Sequence, residues 1–164
     1  MKKVDIDSRF IAYTGITAAI YVALTWSLAP LSFMAIQLRL SEMLVLLVFI
    51  DKRYMPGILI GCAVANSISP LGLADVFFGT LSTFLASLAI MRTKNLFVAT
   101  LWPTVFCFLI GLELYLVLNL PFLYSTLTVM LGEFIVLSGI GYVVFSNIIK
   151  NRGLYNFLKI KRQP

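Results

Sequence analysis

Long apolar runs separated by short polar breaks occupy most of the chain. They predict six helical spans: Phe10 to Ala29, Ile36 to Ile50, Pro56 to Ile68, Leu73 to Met91, Leu96 to Leu118 and Phe122 to Ile149. A helix needs about 20 residues to cross a bilayer core of roughly 30 Å. The second and third spans are too short for this, so we expect them to bound a pocket together with their loops. The pattern predicts an all-α integral membrane protein, a compact bundle of six transmembrane helices forming a single domain over residues 1–164.

Basic residues predict the orientation of these spans. Twelve of the 13 Lys and Arg residues lie on one side of the six-span arrangement: Lys2, Lys3, Arg9, Lys52, Arg53, Arg92, Lys94, Lys150, Arg152, Lys159, Lys161 and Arg162. Because such residues accumulate in short cytoplasmic loops, both termini are predicted to be cytoplasmic in a multi-pass protein of the cell membrane. The net charge of +6 then reflects topology and attraction to anionic lipid, since the basic residues are not interleaved with stacking aromatics as in nucleic-acid binding.

Composition narrows the function classes. The chain is 60% hydrophobic and 12% charged, with a mean hydropathy of +0.98, which favours a protein without an extramembrane domain. Cys62 and Cys107 lie in apolar runs and there is no His, so neither a disulfide, a metal site nor a cofactor is predicted. The chain has no phosphate-binding loop and no nucleophile or metal-helix motif, so we expect a protein that is not an enzyme and takes any ATP drive from partners.

The polar segment 66–80 interrupts the apolar pattern near its middle and includes Asn66 and Asp75. Such a segment is costly at membrane depth unless it lines a cavity or lies at its mouth. Asp75 opens the fourth span, where a carboxylate either caps the helix or contacts a ligand. We therefore expect the loop at Ser67 to Gly72 to lie outside, at the mouth of a pocket.

Ionisable residues inside the other spans point to the same outer half of the bundle. Arg39 and Glu42 are three positions apart, and this pair either neutralises itself or contacts a ligand. Glu113 lies roughly 8 Å below the outer end of the fifth span and Glu133 near the midplane, at the helical rise of about 1.5 Å per residue. Each is either a protonated carboxyl bonded to a neighbouring helix or a ligand group. For Glu133 we favour the ligand role, because the adjacent Gly132 permits close approach.

Small residues recur every fourth position along the first span, at Gly15, Ala19 and Ala23. Such a stripe allows another helix to pack closely, either within the same bundle or from a second membrane subunit. Larger aromatic and soft apolar side chains are candidate pocket walls or ordinary interface residues: Trp26, Phe33, Met34, Trp102, Tyr115 and Tyr124.

Three segments and the six-span layout resemble the QueT family of queuosine-precursor transporters, which are S components of energy-coupling factor (ECF) transporters. The segments are 37–42, 66–80 and the Gly132–Glu133 pair, and the resemblance covers essentially the whole chain. It implies a high-affinity binding subunit with three partners, a transmembrane coupling subunit and two cytosolic ATPases. It also implies that the stripe of Gly15, Ala19 and Ala23 contacts the coupling subunit.

The implied ligand is a 7-deazaguanine such as preQ0 or preQ1. A guanine-like edge offers adjacent N–H donors that a carboxylate accepts in bidentate fashion, and an aminomethyl cation would need a second acid. Glu133 and Glu113 are the expected anchors, Asn66 complements the ring, and Arg39 holds Glu42. Alternatives are an S component for a hydroxymethylpyrimidine-like or pyridoxine-like precursor, or a membrane scaffold without ligand. The uncharged loop 30–35 is the expected lid.

Overall fold

The computed structural model describes residues 8–32 and 37–160, and these fold into helices joined by short turns. Helix α1 spans Ser8–Ser27 and is followed by the single turn α2, Ala29–Ser32. A 3₁₀ helix, Leu40–Leu46, continues into α3, Leu47–Ile50, and a second 3₁₀ turn, Lys52–Tyr54, leads into α4, Met55–Asn66. The two predicted short spans are therefore helical and short, but the first of them begins at Leu40 rather than Ile36.

The second half of the chain contains the longer helices. Helix α5 spans Leu73–Arg92, α6 spans Leu96–Phe106, and α7 spans Phe108–Leu118. Helix α8, Phe122–Phe134, continues through a π-helical segment, Ile135–Gly141, into α9, Tyr142–Lys150. A last helix, α10 at Arg152–Leu158, was not predicted from the sequence.

Four stretches among the described residues are long and apolar enough to cross a membrane. They are Ser8–Ser27, Leu73–Arg92, Leu96–Leu118 and Phe122–Lys150. All four were predicted as spans, and the third has the predicted bounds. The two shorter helical stretches, Leu40–Ile50 and Met55–Asn66, would extend less than about 20 Å at the α-helical rise.

Two tight turns and one break shape the helix pairs. Gly72, before α5, has a φ of 59°, a backbone conformation that suits glycine. Asn119 ends α7 in the left-handed region, and its N–H donates to the Tyr115 carbonyl at 3.1 Å, as in the αL motif. Cys107 separates α6 from α7 one turn after Pro103, whose missing N–H weakens the helix there.

The main apolar core lies where α1, the 3₁₀ helix, α4 and the π-helical segment meet. It includes Tyr21, Leu46, Ile58 and Leu137, all with no exposed surface. A smaller apolar cluster of Cys107, Ile110 and Val129 joins α7 to α8. Polar side chains occupy the space between these two clusters and form the candidate site.

Candidate functional site

A polar pocket lies inside the helix bundle, enclosed by the 3₁₀ helix, α5, α6, α7 and α8. The space that it leaves for the centres of water-sized molecules is about 20 Å³, about enough for one water molecule, so a larger ligand needs the walls to move apart. The side chains and backbone that line it are Gln37, Arg39, Glu42, Gly79, Ser82, Thr83, Ala86, Pro103, Cys107, Ile110, Val129 and Glu133. The predicted site residues Arg39, Glu42 and Glu133 thus converge on one pocket although they come from distant parts of the sequence.

Glu42 is held from two sides. The Tyr21 hydroxyl, fully buried on α1, donates a short hydrogen bond to Glu42 Oε1. Arg39 Nη1 lies 3.7 Å from the same oxygen, which confirms the predicted pairing of these two residues. Nearby, Thr25 Oγ1 donates to Ser41 Oγ at 2.7 Å. These contacts tie the start of the 3₁₀ helix to α1 and fix the direction of the Glu42 carboxylate.

Arg39 is the cation at the centre of the acidic groups. It is 5% exposed and lies within electrostatic range of Glu42, Asp75, Glu113 and Glu133. Burying a guanidinium is expensive unless anionic or hydrogen-bonding groups surround it. Of these acids, Glu42 and Glu133 line the same pocket as Arg39, so the pocket carries one more carboxyl group than the Arg39–Glu42 pair needs.

Glu133 lines the pocket from α8 and is 5% exposed. The residue before it, Gly132, packs against the backbone of Gln37, whose carbonyl oxygen would lie 2.5 Å from a Cβ at that position. Glycine therefore allows the extended segment before the 3₁₀ helix to lie directly on α8. This contact brings Gln37 and Arg39 to the same pocket wall as Glu133.

Asn66 and Asp75 lie behind the wall rather than in it. Asn66 Nδ2 donates to the backbone carbonyl of Asp75 at 3.0 Å, and both side chains are buried. Gly79 lines the pocket and lies against Asn66 Nδ2, which leaves no room for a Cβ there. Gly72 is the N-cap residue of α5 and Asp75 lies in its first turn, where a carboxylate is favourable near the helix N-terminus. Both residues shape the α4–α5 wall.

Glu113 occupies a different position from the one we expected. It has no exposed surface, and neither carboxyl oxygen has a hydrogen-bond partner among the described residues. It does not line the pocket that holds Glu133. The structure therefore separates the two acids that the sequence placed together.

The expected aromatic walls are not found among the described residues. Trp26, Tyr115 and Tyr124 are about half exposed or more. Trp102 donates its indole N–H to Thr93 Oγ1 at 2.8 Å, away from the pocket. Phe33 and Met34, like most of the predicted lid at 30–35, fall outside the described residues.

Sequence reasoning missed the hydroxyl groups around the pocket. Ser82 and Thr83 line it from α5, and Tyr21 supports Glu42 from α1. A signal was present, because Thr17, Tyr21 and Thr25 recur every four residues and share one helix face. These three residues are the buried positions of α1.

The opposite face of α1 carries the small-residue stripe. Gly15, Ala19 and Ala23 are exposed, and no atom lies within 4 Å of a Cβ built at Gly15. Packing within the bundle instead uses Gly57 and Gly61 of α4, which contact Thr14 and Ala18. The reading in which the stripe packs inside this bundle is therefore wrong.

Among the described residues, no group of three acid, Cys or His side chains could hold a metal ion. Cys62 and Cys107 are both free and buried. The site is thus a polar pocket in a helical membrane protein, with carboxylates, one guanidinium, hydroxyls and an amide available for a small molecule.

Comparison with known proteins agrees with this class. The QueT transporter family matches residues 11–150. A queuosine precursor transporter QueT from Lactococcus lactis subsp. cremoris (strain MG1363) is 35% identical over 137 residues, covering 73% of this chain and 80% of the relative. No solved structure matches.

The chain belongs to the QueT transporter family. It is a membrane transport protein and not an enzyme. The resemblance drawn from segments 37–42, 66–80 and the Gly132–Glu133 pair is confirmed at the level of the family.

Proposed function

We propose that this protein is the substrate-binding subunit of an ATP-driven ECF uptake transporter and that its cargo is a 7-deazaguanine queuosine precursor, preQ0 or preQ1. The name of the Lactococcus relative supports the cargo class. The observation that carries the proposal is the convergence of Glu133, Glu42 and Arg39 on one buried pocket. A scaffold without ligand would use the same groups only to hold the helices together, so cargo binding separates the two readings.

Glu133 is the proposed anchor for the guanine-like edge. Its carboxylate can accept two adjacent N–H donors, a geometry in which each charge-assisted hydrogen bond is stronger than a neutral one. We assign the second acid to Glu42 rather than Glu113, because Glu42 lines the pocket and Glu113 does not. Gln37, Ser82 and Thr83 supply the amide and hydroxyl groups that can complement the ring carbonyl and remaining nitrogens.

The two buried glutamates provide a matched test. Glu133→Gln and Glu113→Gln each replace a buried carboxyl by an amide of the same shape, but only the first changes the pocket lining. Calorimetric titration of the purified protein with preQ1 and preQ0 should show binding weakened about 10- to 100-fold by Glu133→Gln, the cost of about 1.5–3 kcal/mol for a charged hydrogen bond. Glu113→Gln should bind as the wild type does.

Equal affinity of Glu133→Gln for every deazapurine would refute the site assignment. Binding of a hydroxymethylpyrimidine-like or pyridoxine-like compound in place of both deazapurines would keep the transporter class and change the cargo. Failure to bind any of these compounds, with no small molecule released from gently purified protein, would contradict the binding-subunit proposal.

The exposed stripe on α1 is the proposed contact for the transmembrane coupling subunit, which would join two cytosolic ATPases. Close helix packing needs small side chains, so Ala19→Trp should abolish co-purification with these three partners. Leu131→Trp is the control, because Leu131 is an exposed residue on α8. Both variants should keep wild-type affinity for the cargo. Co-purification of Ala19→Trp at the wild-type level would remove the stripe from the interface.

A further inference from the structure

A second cleft lies far from the polar pocket, between the first turns of α1 and the last helix, α10. It leaves about 360 Å³ for the centres of water-sized molecules and is open to the exterior. Its lining is formed by Arg9, Tyr13, Gly153, Asn156, Phe157 and Lys159. This group joins residues from the two ends of the described chain at the side that we predict to be cytoplasmic.

The cleft is positively charged. Arg9 and Lys159 both line it, and among residues 8–32 and 37–160 no acidic residue does so. Neither forms a salt bridge with any residue that the structure describes. Asp51, an acid on the same predicted side, is already paired with Arg53 at 2.7 Å. Lys159 Nζ lies 5.7 Å from the centre of the Tyr155 ring. Two basic residues at one cleft, with Asn156 beside them, suit a phosphate group.

The cleft also has an apolar edge that a soluble anion would leave uncovered. Phe157 is 71% exposed and Leu154, three residues earlier on the same helix face, is 49% exposed. Helix α10 itself is attached to the bundle, because Tyr54 donates a 2.7 Å hydrogen bond to the Leu158 carbonyl and Ile160 is buried. The two apolar side chains nevertheless remain exposed. The exposed face is therefore a property of a docked helix.

An exposed apolar helix face beside basic side chains is typical of a segment lying at the membrane interface. Arg9 belongs to a helix long and apolar enough to span a bilayer, so its guanidinium stands near one end of that span. Long basic side chains at such positions reach toward lipid headgroups. Charge and apolar surface thus meet at the level where a phospholipid places its phosphate above its acyl chains.

We propose that this cleft is a binding site for an anionic phospholipid, with Arg9 and Lys159 on the headgroup phosphate and Phe157 and Leu154 against the acyl chains. The lipid would join the start of α1 to the C-terminal helix. This site is separate from the transport pocket and does not depend on the identity of the cargo.

Native mass spectrometry of the full chain, titrated with phosphatidylglycerol or phosphatidylcholine of the same acyl composition, tests the proposal. The double variant Arg9→Gln with Lys159→Gln should weaken the apparent affinity for phosphatidylglycerol about 30-fold. Each of the two basic residues at an anionic surface is expected to contribute a similar part of this loss. Phosphatidylcholine adducts should not change. The double variant Arg9→Lys with Lys159→Arg keeps both charges and should retain most of the binding.

The matched control is Arg92→Gln with Lys94→Gln, which removes two exposed charges on the same predicted side but outside the cleft. Unchanged phosphatidylglycerol binding in the cleft variant would overturn the proposal. An equal loss in the control would show attraction to net charge and would also overturn it. Displacement of the lipid by excess inorganic phosphate would identify a soluble-anion site instead.

Discussion

Removing the Tyr21 hydroxyl tests whether the support of Glu42 matters for binding. Tyr21→Phe keeps the ring, which is fully buried, and deletes only the group that donates to Glu42. A hydrogen bond to a charged acceptor contributes about 1.5–3 kcal/mol. Glu42 would retain Arg39 at 3.7 Å as its ion partner but lose its fixed direction. We therefore expect affinity for preQ1 to fall about tenfold, equivalent to roughly 1.4 kcal/mol.

Tyr54→Phe is the matched control for this prediction. Tyr54 is also buried and also donates its hydroxyl hydrogen, but to the neutral Leu158 carbonyl and outside the pocket. A neutral hydrogen bond contributes only about 0.5–1.5 kcal/mol, so this variant should lower the unfolding temperature slightly and leave cargo affinity unchanged. Calorimetric titration and thermal unfolding of both variants in one detergent give the comparison. Wild-type affinity in Tyr21→Phe, or an equal loss of affinity in Tyr54→Phe, would refute the reasoning.

Three further predictions follow from single positions. Gly132→Ala should lower thermal stability and cargo affinity, because the added Cβ would meet a backbone oxygen at 2.5 Å. Gly139→Ala is the control, because a Cβ there has open space and should change neither quantity. Equal effects of the two variants would contradict this prediction. Cys107 lines the pocket and Cys62 does not, so bound cargo should slow reaction of a small thiol reagent with Cys107 only, as followed by mass spectrometry of the single-Cys variants. Burial, together with two neighbouring ionisable groups, raises the pKa of Tyr54 from 10.0 to about 12. The contribution of the protonated Tyr54 hydroxyl to stability is therefore complete below pH 10.0 and is lost as the pH rises to about 12. Ultraviolet titration of the wild type against Tyr54→Phe should reveal this late ionisation.

The helices were predictable because apolar run length depends directly on bilayer thickness. Leu96 to Leu118 was predicted with its final bounds, although Cys107 breaks it into two helices, because hydropathy records length and not local hydrogen bonding. The start of the second span was misplaced. Residues 37–39 lie outside any helix and Gln37 packs on Gly132, and this tertiary contact has no signal in local periodicity.

The site was predicted in part for a similar reason. Arg39, Glu42 and Glu133 were found because charged groups are rare within membrane spans and therefore conspicuous. Glu113 was equally conspicuous, and the sequence could not show that it does not line the pocket, since this depends on how α7 packs against its neighbours. Ser82 and Thr83 were overlooked because hydroxyl residues are common in membrane helices and carry no charge.

The π-helical segment Ile135–Gly141 affects how relatives of this protein should be compared. A π turn accommodates an additional residue within a helix, and such turns often lie near functional sites. Here it begins two residues after Glu133 and ends where α9 starts. If a relative has one residue fewer in this stretch, the π turn becomes an ordinary α-helical turn. The same face of α8 would then still line the pocket, and the same face of α9 would still be buried. A one-residue gap in an alignment at Ile135–Gly141 would thus preserve the architecture. Assuming an unbroken α-helix through this segment would instead assign the wrong side chain to the pocket.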